Sequence, residues 1–233
     1  VTSVGEQWGE IDLEKLAALR PDIIVTTMYL PPELWYVPAE LEPNVQAIAP
    51  IVAIDVGQKP IVEPIRRFEA LAEALGADLS TPAHAAARQR FENASADLKA
   101  AIAEKPGLKA MFAAGSLETF WVSNPPSFPD LLYFKELGLD IVVPEKPDGY
   151  YESLSWEQAL RYQADVIFYD ARTLWVQPEQ LAKQVPTWNR IPAVQAGQVR
   201  PWAAVPTFSY EGFAGILEEM ARTIREVDPH VVP

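Results

Sequence analysis

Apolar positions along this chain alternate between a helical period and short unbroken runs, and the alternation repeats from end to end. Leu13, Leu16, Ala17 and Leu19 recur at helical spacing behind Asp12, a favoured N-cap residue. Pro21 ends that helix, and Asp22 to Thr27 (DIIVTT) is a run long enough for one buried, parallel-type strand. Met28 to Pro43 carries four prolines with Tyr29, Trp35 and Tyr36, and is predicted to be irregular. Ile51 to Asp55 (IVAID) predicts a second strand. Val62 to Leu75 predicts a helix with Ile65, Phe68, Leu71 and Leu75 on one face, stopped by Gly76.

The longest helical pattern follows. It starts near Thr81 and Pro82, carries Phe91, Ala94, Leu98 and Ile102 on one stripe, and ends at Pro106 and Gly107. Beyond it the alternation resumes. Strands are predicted at Lys109 to Ala114, Thr119 to Val122, Leu139 to Val143, Val166 to Tyr169 and Gln198 to Trp202. Helices are predicted at Pro129 to Leu137, from Ser155 with Gln158 at the capping-box position, at Pro178 to Gln184 and at Ser209 to Glu226. Strands alternating with helices mean an α/β chain with mostly parallel sheets.

The pattern also contains an internal repeat. Trp8-Gly-Glu-Ile-Asp-Leu-Glu14 aligns without a gap on Tyr151-Glu-Ser-Leu-Ser-Trp-Glu157, placing Trp8 on Tyr151, Asp12 on Ser155, Glu14 on Glu157 and Asp22 on Asp165. Each copy reads as an aromatic loop, a capped helix, a short turn and a buried strand. Two such units predict two similar lobes, 1–79 and 106–233, with the long helix of 80–105 between them. Lobes that each present an aromatic near a helix start suit a cleft that clamps a ligand.

Composition narrows the function. The 233 residues carry a net charge of −13, which argues against a nucleic-acid partner. Hydrophobic residues reach 49%, enough for sizeable cores, yet no run approaches the ~18 apolar residues of a membrane span. With no cysteine, disulfides, thiolate metal sites and cysteine nucleophiles are excluded. The two histidines, His84 and His230, are far apart, so a histidine-based metal site is not expected. There is no phosphate loop, nucleophile elbow or metalloprotease helix. An enzyme is the weaker reading, and no catalytic residue is assigned.

Aromatic placement is the stronger signal. Trp8, Tyr29, Trp35, Tyr36, Trp121 and Phe128 fall in or beside loops predicted to follow strands, as do Tyr150, Tyr151, Trp202, Phe208 and Tyr210. In open α/β sheets ligands bind at the carboxyl ends of strands, where aromatics supply broad, stiff contact surfaces. The alternative for each is to cap the core beneath its own loop. Arg172 follows the strand VIFYD, where it can either donate to an anionic or oxygen-rich ligand or pair at the surface with a nearby acid. Arg200 is a weaker candidate of the same kind. Glu14 and Glu157, each second in its helix, can serve the helix dipole or form a matched pair of acidic docking points.

The order of these segments resembles the periplasmic-type substrate-binding proteins of ABC importers for ferric siderophores, haem and cobalamin. IDLEKLAALRPDIIVT is similar to their first-lobe signature and VQAIAPIVAID to the strand that follows. RRFEALAEALGADLSTPAHAAARQRFENASADLKAAI resembles the helical region joining the lobes, and VPTWNRIPAVQAGQVRPW resembles a second-lobe element. The resemblance implies two Rossmann-like lobes joined by a rigid helix, with a ligand in the shallow cleft between them. It implies that Glu14 and Glu157 dock onto the two permease subunits, and that Trp8 and Tyr151 belong to the cleft. It also implies a protein outside the cytoplasm, in the periplasm or on the outer face of the membrane, free or lipid-anchored.

Members of this family carry further strands before the first motif, which begins here at residue 5. The first lobe is therefore expected to be N-terminally truncated and its exposed sheet to be covered by oligomerisation. The segment KAMFAAGSLETFWV with DGYYESLSWEQALRYQADVIFYDA is most similar to the hydroxamate-binding branch. A ferric hydroxamate siderophore, bringing its own Fe(III), is thus the expected ligand, with no cofactor and no metal bound by the protein itself. Cobalamin and haem are the alternatives within the class, Tyr29 or Tyr150 being the possible haem ligands. An α/β enzyme acting on a small molecule is the alternative outside it.

Overall fold

The structure is a computed structural model that describes residues 1–6 and 9–232. The first lobe opens with helix α1 (Leu13–Ala18), and Asp12 caps it by accepting a hydrogen bond from the backbone N–H of Lys15 at 2.9 Å. Strand β1 (Ile24–Met28) then pairs in parallel with β2 (Ile51–Asp55), register Ile24 on Ile51 through Met28 on Asp55. Between them lies a helix the prolines concealed, α2 (Glu42–Ile48). Pro43 sits in its first turn, where proline costs no hydrogen bond, and Val45 is its buried anchor. Neither strand of this sheet holds a fully buried residue.

Helix α3 (Val62–Ala74) leads out of the first lobe, and Gly76 terminates it at φ +92°. The 22-residue helix α4 (Pro82–Ala103) follows, capped by Thr81. Its buried stripe is Phe91, Ala94, Ser95, Leu98 and Ala101.

The second lobe is one six-stranded sheet built from β3 (Lys109–Gly115), β4 (Thr119–Ser123), β5 (Asp140–Ile141), β6 (Tyr151–Ser155), β7 (Val166–Asp170) and β8 (Val199–Trp202). The order is β6-β4-β3-β7-β8, with β5 paired to the start of β3. Pairings of β3 with β5 and β7, and of β7 with β8, are parallel; β4 pairs antiparallel with β3 and β6. Helices α5 (Pro129–Glu136), α6 (Pro178–Gln184), α7 (Pro192–Gln195) and α8 (Tyr210–Glu226) complete it. Ser209 caps α8 through the backbone N–H of Gly212, and α4 lies lengthwise along α8.

One expectation fails here. The second repeat copy is not a capped helix: Tyr151–Ser155 is strand β6, and Trp156–Gln158 is a single 3₁₀ turn. Its burial alternates, with Glu152 and Leu154 inward and Ser153 and Ser155 outward, which is a strand period. Pairing along the whole of β4 and burial of Trp156 outweigh the local capping signal. The sheet is accordingly mixed on one side.

Two cores sandwich the second sheet. One face packs Phe112, Phe134, Phe168, Phe213 and Leu217; the other packs Met111, Phe120, Ile167, Tyr169 and Trp188. Ile61 and Ile65, at the junction between lobes, are wholly buried in the first of these cores. The backbone N–H of Gln58 donates to Pro126 at 2.9 Å and that of Ile61 to Pro129 at 3.0 Å. The lobes are thus pinned to each other by main-chain bonds and shared core.

Candidate functional site

The carboxyl ends of β1 and β7 bring their loops to a common hollow of about 270 Å³ at the junction of the lobes. The first lobe contributes Tyr29, Trp35 and Tyr36. Their loop is tied to the end of β1: the Trp35 N–H donates to the Thr27 carbonyl at 2.8 Å, and the Thr26 hydroxyl donates to the Trp35 carbonyl at 2.9 Å. Tyr36 is held at φ +65°, a left-handed conformation a bulky residue rarely adopts. The loop after β2 presses from behind. A Cβ at Gly57 would stand 1.9 Å from the Tyr29 carbonyl oxygen, so only glycine fits that approach.

The second lobe contributes Phe128, Tyr150, Tyr151, Arg172, Trp175 and the apolar rim of Leu174, Ala204 and Val205. Asn124 and Ser127 both donate to the Gly149 carbonyl, at 3.0 and 2.9 Å, and the Asn124 N–H donates to that of Tyr150. Rings meet across the junction: Tyr29 and Trp35 lie with centroids 6.3 and 5.7 Å from Tyr150. The aromatic wall continues through Phe128, Tyr151 and Trp175 to Trp121.

Arg172 is the only charged residue lining this hollow among the described residues. It pairs with Asp170 at 2.6 Å, and its Nη2 donates to the Tyr151 hydroxyl at 3.2 Å. Burial opposes its charge, but the bonds to Asp170 prevail and hold its pKa above the ordinary arginine value. The pairing with an acid is therefore present, and Arg172 at the same time lines the hollow. Burial pushes the Tyr150 hydroxyl up to about 12 and those of Tyr29 and Tyr151 higher still.

Of the sequence candidates, Tyr29, Trp35, Tyr36, Tyr150, Tyr151 and Arg172 converge on the hollow. Trp121 and Phe208 stand one ring behind its lining, against Trp175 and Tyr29. Trp202 and Tyr210 do not reach it. Trp202 is core, its indole donating to buried Asp130, and Tyr210 packs on Phe91 at the start of α8. Both sit where strand or helix begins to turn inward, so loop position alone misplaces them. The Arg200 side chain donates to the nearby carbonyls of Gly197 and Val199 and does not line the hollow. Trp8 lies outside the described residues. Trp175 was missed, although it follows the same strand as Arg172 and obeys the same carboxyl-end rule.

Glu14 and Glu157 are both exposed, each second in its helical turn and each on a different lobe. Among the described residues no cluster of histidine, aspartate and glutamate could hold a metal ion, and no helix is long and apolar enough to cross a membrane.

A sequence profile described as periplasmic binding protein matches residues 2–206. The chain belongs to the periplasmic binding protein family. Among solved structures it is similar to DesE, a ferric-siderophore receptor protein from Streptomyces coelicolor, at 37% identity and a TM-score of 0.90, covering 98% of this chain and 78% of that one. FhuD from Vibrio cholerae, solved with Fe³⁺–Desferal, shares the fold at 21% identity and a TM-score of 0.65, covering 100% of this chain and 84% of that one. FeuA from Bacillus subtilis, a triscatecholate siderophore binding protein, shares it at 17% identity and 0.67, over 95% of this chain and 76% of that one. No curated protein sequence matches. This periplasmic binding protein thus has the two-lobe α/β fold of its structural neighbours.

Proposed function

We propose that this protein captures a ferric siderophore of the hydroxamate type in the hollow between its lobes and hands it to an ABC permease outside the cytoplasm. The observation that carries the reading is a wall of aromatic rings around a single cation that is already paired. A chelate satisfies its own iron, so the protein needs flat contact surface and one or two donors, not metal ligands. A triply anionic catecholate complex would call for several free cations, and among the described residues the lining supplies only Arg172, which is paired. A neutral or singly charged hydroxamate complex fits. Similarity to DesE, named for ferric-siderophore binding, supports the general class.

Cobalamin remains the second reading, since aromatic walls also suit a corrin ring. Glu14 and Glu157, exposed on opposite lobes, are the proposed contacts to the two permease subunits. A titration followed by tryptophan fluorescence tests the proposal. Ferrioxamine B or ferrichrome should quench it saturably, and the iron-free chelators should bind more weakly. Quenching by cyanocobalamin alone would transfer the assignment to the second reading.

A further inference from the structure

We propose that Asp170, which lines no part of the hollow, is the residue that sets which charge of chelate the hollow accepts, acting through Arg172. The inference rests on the siderophore reading above.

Asp170 closes β7 with no exposed surface. Its carboxylate accepts from Arg172 Nε at 3.0 Å on each oxygen, from Arg172 Nη2 at 2.6 Å and from the Trp175 indole at 2.7 Å. It also takes the Arg172 backbone N–H at 3.0 Å. Both donors' owners face the hollow. One buried carboxylate therefore fixes the direction of the cation and of a neighbouring indole, and Arg172 passes the constraint to the Tyr151 hydroxyl. Its second effect is on charge. Acidic groups lie around the lining as well: the charge of Asp170 bears on buried Asp130, and Glu33 bears on Tyr150. A ligand thus meets a guanidinium whose charge is cancelled from beneath and whose Nε is occupied. What remains for it is donor capacity at Nη1, because Nη2 already donates to Asp170 and to the Tyr151 hydroxyl. That suits a complex seeking hydrogen bonds and penalises one carrying several negative charges.

Wild type and Asp170→Asn should be titrated with ferrichrome and with the trianionic ferric enterobactin. Asparagine keeps the shape and, with its oxygen at the Oδ2 position, the acceptor for Trp175 and Arg172 Nη2; it removes the charge and the acceptor at Oδ1. Wild type should prefer ferrichrome, and D170N should move the preference toward the catecholate by about tenfold, a shift that shrinks in high salt. Trp175→Phe, which removes a donor to Asp170 but no charge, should weaken ferrichrome and leave the preference unchanged. A D170N preference equal to that of wild type overturns the inference. So does a wild type that binds both complexes equally, a result that does not depend on the variant folding. Wild type binding neither complex would instead sink the siderophore reading itself.

Discussion

The indole N–H of Trp202 donates to the carboxylate of Asp130 at 2.7 Å, deep beneath the aromatic wall. Trp202 packs edge-on against Phe128, which lines the hollow, so this polar pair forms part of its foundation. The other Asp130 oxygen, Oδ1, is buried and meets no hydrogen-bond donor among the described residues. Burial pushes the Asp130 carboxyl up to about 7, the bond from Trp202 only partly offsetting it and the charge of Asp170 adding to it.

That shift predicts a pH-dependent stability. An unfolded aspartate loses its proton near pH 4, roughly, whereas the folded one keeps it to about 7. Between those values the folded state binds the extra proton, so stability falls as pH rises through the window. Denaturant unfolding should give a protein about 1–3 kcal/mol more stable near pH 5 than near pH 8. Asp130→Asn should remove most of that slope. A wild-type profile flat across this range would contradict the assignment.

Tyr151→Ala and Trp35→Ala remove rings from opposite lobes. Each should weaken ligand binding by about 1–3 kcal/mol, the cost of a lost buried aromatic contact. Calorimetric titration with ferrioxamine B reads this directly. Phe208→Ala, one ring behind the lining, should cost less.

Gly57→Ala tests whether the first-lobe loop is seated as described. The added carbon would overlap the Tyr29 carbonyl, so the β1 and β2 loops must part. We expect about 1–3 kcal/mol of lost stability and weaker binding together. Unchanged melting and affinity would mean that the loop takes another path.

Glu14→Arg combined with Glu157→Arg should leave ligand affinity intact, because both side chains are exposed and neither lines the hollow. Uptake supported by the protein in cells should be abolished. Uptake at the wild-type level would end the docking assignment.

Much of this architecture was legible because the core strands are unbroken apolar runs. IVAID, KAMFAAG and VIFYD could be little else, and α4 declared itself by length and by its Thr81-Pro82 start. The repeat was legible as sequence but not as structure. Local capping residues at Ser155 competed with a tertiary demand, the pairing of β6 along β4, that no local window contains. The hollow was half legible for a similar reason. Carboxyl-end logic finds Tyr29 and Arg172, but whether a ring faces the hollow or the core depends on partners distant in sequence, such as Asp130 for Trp202. The role of Asp170 was hidden altogether, since a strand-end aspartate looks like any other until Arg172 and Trp175 fold back onto it.

The central claim is best tested by a crystal structure of the protein with ferrioxamine B. The account predicts iron density between the lobes, with the chelate against Tyr29, Trp35, Tyr150 and Tyr151 and within hydrogen-bond reach of Arg172. A chelate bound elsewhere on the surface, with those rings untouched, would contradict it.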